Sequence, residues 1–216
     1  MSTRKLFLGI SAALLAAAPL AAQTYTTADP PAPIPDNSGS LGTCQTINVP
    51  SVPGGDVIGT VTVSTSVAHS WVGDLTLQLN NPGGTSNLTV LNRAGRLNTG
   101  AGNPANVDAA TPITYDDAAG QSAEDEGENP PGTQCASTQV VGVDCGPASY
   151  IPAPDATDTP IPGVGTNLAQ YTGSMAPGIW MLCVGDSAGA DTGTLSSWSI
   201  TFTGNTPVQL MDFDVK

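Results

Sequence analysis

The chain has 216 residues and a formal net charge of −13, from 18 acidic residues against 5 lysines and arginines. That charge repels nucleic acid and anionic membrane surfaces, so we expect neither as a partner. Glycine occurs 25 times and proline 19 times, and charged residues make up only 11% of the chain. Such a composition disfavours long helices, and its many Thr, Val and Ser residues favour an all-β fold.

The N-terminus has the pattern of a signal peptide over residues 1–22. Arg4 and Lys5 precede an apolar run, and small residues lead to Ala22, which suits cleavage before Gln23. The apolar run is too short to span a bilayer as a helix. We therefore expect an exported protein, secreted or periplasmic, without membrane insertion.

Strand patterns begin after a Pro-rich leader at 23–33, and we place a single domain at 34–204. Segments rich in Val, Thr and Leu predict strands at 46–50, 57–67, 74–80 and 87–92. The Pro- and Gly-containing segment NPGGTS, between the last two, predicts a turn.

A long irregular region follows Asn92 and runs to about residue 166, interrupted by PITYDD at 112–117. Its part at about 118–166 carries acidic residues and two cysteines, and we treat it as an insertion. Such a region is either a functional insertion or a place where the pattern does not reveal strands. The acidic run Glu124 to Glu128 we interpret as a solvated face.

Two further strands are predicted at 178–186 and 194–204, and residues 205–216 form a last edge strand or a tail. In the first of these strands both faces are apolar, which indicates burial on both sides. In the second, alternation turns Trp198, Ile200 and Phe202 inward. About eight strands without a helical pattern predict a jelly-roll-like β-sandwich.

Four cysteines in an exported chain predict disulfides, and three pairings are possible. We favour Cys44–Cys183 as a long-range link and Cys135–Cys145 as a local loop closure. Zinc is the alternative, but the chain has no C-x-x-C spacing and a single histidine.

Two blocks of the sequence resemble the P domain (P/Homo B domain), which follows the catalytic domain in kexin- and furin-like proprotein convertases and in secreted bacterial subtilisin-like proteases. The first block is VAHSWVGDLTLQLNNPGGTSNLTVL, with His69, Trp71 and Gly73 at its centre. The second is APGIWMLCVGDSAGADTGTLSSWSITF, with Trp180 and Trp198. ITYDDAA lies between them and resembles an element of bacterial members, although it has Tyr115 where Phe is common. The resemblance implies a jelly-roll sandwich and a link to serine endopeptidases.

The only histidine, His69, lies five residues before Asp74, and the pair invites comparison with half of a proton relay. The segment GSMAP, with Ser174, is faintly similar to the segment around a subtilisin-type nucleophile. A triad also needs its supporting scaffold, and the other subtilisin motifs and any helical framework are missing from the sequence. We therefore expect no catalytic residues, and we interpret His69 as a structural residue that bonds backbone groups before the strand at Asp74.

Calcium is the candidate cofactor, because it takes oxygen ligands from carboxylates and loop carbonyls. Four acids at strand ends or loops match acidic positions of the family pattern: Asp74, Asp116, Asp117 and Asp186. The alternative is that these acids form turns and aid solubility. For Trp180 and Trp198, alternation favours core packing over a carbohydrate platform with Trp71.

The sequence thus predicts a secreted, non-catalytic P-domain protein that stabilises or assists a subtilisin-like serine endopeptidase. The alternative is an extracellular binding module or adhesin that recognises a glycan or a surface protein through the acidic insertion.

Overall fold

The computed structural model describes residues 22–39, 41–51, 57–95, 100–127, 149–152 and 167–204. Ten strands lie within these ranges: β1 (Gln23–Thr26), β2 (Ala32–Ile34), β3 (Thr43–Val49), β4 (Ile58–His69), β5 (Leu75–Asn80), β6 (Asn87–Asn92), β7 (Ile113–Tyr115), β8 (Ser149–Tyr150), β9 (Gly178–Asp186) and β10 (Gly193–Gly204). Their connections include four short 3₁₀ turns. In this part of the chain no helix has the length and apolarity to cross a membrane.

The strands form two sheets that pack face to face. One sheet has the order β1-β10-β4-β7-β8, with β2 also paired to β10, and the other has the order β3-β9-β5-β6. All pairs are antiparallel except β7 with β8. The predicted all-β sandwich is confirmed. The structure has more strands than the roughly eight that the sequence predicts. One reason is that the leader at 23–33 contributes β1 and most of β2, which pair with β10.

The core lies between the sheets and follows from period-2 alternation along the long central strands. Residues Val61, Val63 and Val67 of β4 point inward and are almost fully buried. From β10, Trp198, Ile200 and Phe202 are 1%, 0% and 5% exposed, as predicted. The Trp180 ring packs 5.3 Å from that of Phe202. Burial of these large side chains is the main stabilising contribution to the sandwich.

Two sequence interpretations need correction. Strand β9 is buried on both faces only in its second half, because Ile179 near its start is 61% exposed. The run Glu124 to Glu128 is not a uniformly solvated face, because Glu126 is 1% exposed. The 3₁₀ turn Ala123–Asp125 precedes Glu126, and the Tyr115 hydroxyl donates to its Oε2 at 3.1 Å.

The long-range disulfide is present as predicted. Cys44 of β3 lies directly opposite Cys183 of β9 and is bonded to it. The predicted Cys135–Cys145 pair lies outside the described residues, as do residues 1–21 of the signal peptide and the last segment, 205–216.

Candidate functional site

The two sequence blocks meet at one end of the sandwich. His69 ends β4, the 3₁₀ turn Val72–Asp74 follows, and β5 begins at Leu75. Asp186 ends β9 and lies opposite Leu75 in the register of β5 and β9. Strand pairing therefore brings the histidine of the first block to the aspartate of the second.

The His69 ring is held at both nitrogens. Nε2 lies 3.3 Å from Oδ2 of Asp186, and both side chains are fully buried. Nδ1 lies 3.1 Å from the Trp71 backbone nitrogen and 2.8 Å from the Trp71 carbonyl oxygen. Because a carboxylate only accepts, Nε2 carries a proton and donates it to Asp186. Nδ1 then accepts from the Trp71 N–H in the neutral ring, or donates to the Trp71 carbonyl in the charged one. Each ring nitrogen thus has a hydrogen-bond partner within the chain.

Asp186 also fixes the neighbouring loops. Its Oδ1 accepts from the Ala188 N–H at 3.0 Å, and its own N–H donates to the Ser38 hydroxyl at 3.2 Å. Its carbonyl accepts from the Gly39 N–H at 2.8 Å. A buried carboxylate needs hydrogen-bond partners of this kind, because a charge without partners in the protein interior is energetically costly. The residue therefore has the contacts of a structural anchor.

Asp74 pairs with Arg93 rather than with His69. Arg93 Nη2 donates to Asp74 Oδ1 at 3.2 Å, and Arg93 Nε donates to the Gly73 carbonyl at 3.2 Å. Both side chains are almost buried. Burial raises the pKa of Asp74, and the nearby Arg93 opposes that rise without cancelling it. Arg93 is the only lysine or arginine within the described ranges, and the sequence analysis did not identify its role.

Gly73 is required by a close backbone approach. A Cβ atom at this position would lie 2.5 Å from the Asn103 nitrogen and 2.6 Å from Gly102. The Gly73 N–H donates to the Asn103 carbonyl at 3.0 Å. Trp71, two residues earlier, is partly exposed and donates from Nε1 to the Ala101 carbonyl at 3.0 Å. Both residues of the motif thus attach the 100–103 segment to the turn before β5.

The tryptophans of the second block lie in the core. Trp180 and Trp198 are each 1% exposed, so they do not form a surface platform with Trp71. Trp180 Nε1 donates to the Ala176 carbonyl at 2.7 Å, and its ring packs edge-on against Tyr171 at 5.1 Å.

The four acids predicted to bind calcium lie in two separate places. Asp116 follows Tyr115, which lies opposite Val63, six residues before His69 on β4. Six residues of strand span about 20 Å. Both Asp117 oxygens accept backbone N–H groups, from Leu168 at 2.9 Å and Ala169 at 2.7 Å.

These acids do not fit one shared calcium site. At the other end, Asp74 faces the Arg93 cation, which competes with a metal, and Asp186 faces the His69 ring. Among the described residues, no group of three or more His, Cys, Asp or Glu side chains is placed to hold a metal. Calcium binding to any of these acids stays a prediction.

Ser174 and His69 do not meet. The Ser174 carbonyl accepts from the N–H of Ile58, at the start of β4, whereas His69 ends that strand. The strand between them spans about 36 Å. The Ser174 hydroxyl donates to the Tyr171 carbonyl at 2.5 Å. These residues therefore cannot act together as a nucleophile and its base.

An open cleft of about 440 Å³ lies beside His69 on the outer side of its sheet. Its walls come from the ends of β4 and β10 and from the segment that bridges to His69 through Val107. Polar, uncharged side chains provide most of its hydrogen-bonding groups: Ser70, Asn106, Thr192 and Thr194. The cleft is not evident from the sequence, because its residues come from three separate segments.

No protein-family model matches the chain, and no curated protein matches it. Among solved structures, the chain is similar to the serine protease of Aeromonas sobria and to the complex of that protease with its chaperone. Sequence identity is 15% in both cases, with TM-scores of 0.44 for the protease and 0.45 for the complex. The alignments cover 87% and 88% of this chain but only 27% of the matched chain.

Proposed function

We propose that the chain is a non-catalytic β module that stabilises or assists a subtilisin-like serine endopeptidase outside the cell. The observation that carries the proposal is the meeting of the two blocks that resemble the P domain. Although His69 and Asp186 are 117 positions apart, their side chains are 3.3 Å apart and buried. The two blocks thus form one buried contact, which supports the view that they belong to a single structural element.

The contacts of the motif also favour a structural role over catalysis. Each ring nitrogen of His69 has a partner within the chain, and the Ser174 hydroxyl is bonded to a carbonyl at the far end of β4. A general base must reach the proton that it removes. Purified chain is therefore expected to leave peptide substrates intact. Peptide cleavage that disappears in Ser174→Ala would contradict the proposal.

The partnership is tested by mixing the purified full chain with each secreted subtilisin-like protease from the same genome. Binding is measured by calorimetry, and the rate of thermal inactivation of the protease is measured with and without the chain. A module that binds only the folded protease must slow its inactivation. Absence of binding to all of these proteases would contradict the proposal.

The alternative, a module that binds a glycan or a surface protein, requires an accessible recognition surface. The described part of the acidic insertion does not favour that role at 123–126, because Ala123 and Glu126 are buried. An array of glycans and surface proteins tests this alternative. Binding that survives removal of residues 128–148 would place recognition outside that part of the insertion.

A further inference from the structure

The outer face of the larger sheet presents an ordered set of hydroxyl groups. At its centre β4 and β10 contribute three directly opposed pairs, Thr62 with Thr201, Ser64 with Ser199, and Ser66 with Ser197. All six side chains are partly exposed, whereas their inward neighbours are buried. We name these six residues the hydroxyl face.

Neighbouring strands extend the rows of the hydroxyl face. Thr24 of β1 lies opposite Thr201, and the two hydroxyl oxygens are 2.8 Å apart. On the other side, the Thr114 hydroxyl of β7 donates to that of Ser64 at 3.3 Å. Strands lie about 4.8 Å apart, and outward residues repeat about every 6.8 Å along a strand. The hydroxyls therefore form a regular array that hydrogen bonds between neighbouring strands hold in place, rather than a set of independent side chains.

The strands that form this sheet contain no Asp, Glu, Lys or Arg, in a chain whose net charge is −13. Solvated protein surfaces usually intersperse charges of both signs, which keep the protein soluble. Each hydroxyl both donates and accepts a hydrogen bond, so the face is complementary to other hydroxyls. Hydrogen bonding at an uncharged face thus favours a neutral, hydroxyl-rich ligand, and the net negative charge of the chain disfavours an anion.

The cleft beside His69 continues the hydroxyl face at one end. After Ser66, the next outward residue of β4 is Ala68. It lies opposite Thr194, and its methyl side chain lines the cleft. Asn106 supplies an amide to the lining. At the rim, the Ser70 hydroxyl donates to Asp191 Oδ1 at 2.7 Å. A carboxylate at the rim accepts hydrogen bonds from hydroxyl donors and repels anionic groups.

We propose that the hydroxyl face and this cleft together bind a neutral polysaccharide. Chain hydroxyls of the polymer would pair with the rows of Ser and Thr, and one sugar unit would enter the cleft against Asn106. Strand addition by a peptide is disfavoured at this surface, because it uses the unpaired backbone of a sheet edge and not a sheet face. The proposal is independent of the protease partnership, since it concerns a different surface and ligand class.

The test is retention of the purified full chain on three insoluble neutral polymers, cellulose, chitin and starch, with polygalacturonate gel as the anionic comparison. Wild-type chain is expected to be retained on at least one neutral polymer and not on the polyuronate. Ala68→Tyr, which fills the cleft, and the double variant Thr62→Val/Thr201→Val, which keeps shape but removes hydroxyls, are each expected to weaken retention about tenfold. Asn48→Ala, an exposed position on β3 of the other sheet, is the matched control and should bind like wild type.

Circular dichroism and melting temperature establish that each variant is folded before its retention is compared. Retention on none of the three neutral polymers would overturn the proposal, as would equal retention on the polyuronate. Retention that neither Ala68→Tyr nor the double variant weakens would also overturn it, because binding would then lie elsewhere. None of these results bears on protease binding, so the two proposals fail separately.

Discussion

Nε2 of His69, at the end of β4, lies 3.3 Å from Oδ2 of Asp186, at the end of β9. The two strands belong to different sheets, so this contact joins the sheets at one end of the sandwich. Gly193 makes room for the ring, because a Cβ atom there would lie 2.4 Å from His69 Cδ2. The histidine is thus part of a buried polar link between the sheets.

Replacement of His69 by alanine should destabilise the fold by about 3 kcal/mol, because it leaves a buried carboxylate without its partner. Urea unfolding measures the change, and secretion yield should fall with it. The double variant His69→Ala/Asp186→Asn should be less destabilised than the sum of the single variants. An unchanged unfolding midpoint in His69→Ala would show that the pair does not support the fold.

Gly73→Ala should destabilise the chain by about 2 kcal/mol or more, because its Cβ would overlap the backbone of Gly102 and Asn103. Gly100→Ala is the matched control, since a Cβ there meets nothing within 4 Å. Thermal melting of the two variants compares them directly. Equal melting temperatures would mean that the 100–103 segment moves away at little cost.

Glu126 should make the fold less stable as the pH rises. Burial raises the pKa of Glu126 from 4.5 to about 8, although the Tyr115 hydrogen bond opposes the rise. Between these values the folded state holds a proton that the unfolded state has lost. The contribution of Glu126 to the free energy of unfolding is therefore fully present below pH 4.5 and falls by about 1.4 kcal/mol per pH unit toward pH 8.

Denaturant unfolding at several pH values measures this slope. Glu126→Gln should flatten it, because an amide has no proton to lose, whereas Asp125→Asn at the partly exposed neighbour should keep it. A slope that persists in Glu126→Gln would assign the pH dependence to another group.

Loss of the Cys44–Cys183 disulfide should be costly, because it links residues separated by 139 positions. Closing so long a loop removes much conformational freedom from the unfolded chain, and we expect a loss of about 4 kcal/mol. The double variant Cys44→Ala/Cys183→Ala, compared by guanidinium unfolding, tests this without reducing other cysteines. A loss below about 1 kcal/mol would show that β3 and β9 hold their register without the bond.

The sequence was sufficient to predict most of the long strands because their alternation is local. Val61, Val63 and Val67 alternate with polar residues, and the same rule placed Trp198 and Ile200 inward. The rule missed β1, since a four-residue strand followed by prolines has little pattern of its own and becomes a strand by pairing with β10. The two-residue strand β8 was missed for the same reason.

The candidate site was less predictable, because its contacts are long-range. Proximity in sequence suggested that His69 and Asp74 belong together, but strand pairing gives Asp186 to the histidine and Arg93 to Asp74. A hint was available for Arg93, one of only five lysines and arginines in a strongly acidic chain, which comes just after a predicted strand. The burial of Glu126 could not be predicted, because it belongs to a run of acidic residues and such a composition indicates side chains exposed to solvent. Its burial results from tertiary packing.

The most direct test of the proposed function is the half-life of a secreted subtilisin-like protease from the same genome, heated with and without an equimolar amount of the full chain. We expect the chain to lengthen the half-life of at least one such protease, and the destabilised His69→Ala variant to do so less. Unchanged half-lives for every protease would contradict the proposed function, as would peptide cleavage by the chain itself that is lost in Ser174→Ala.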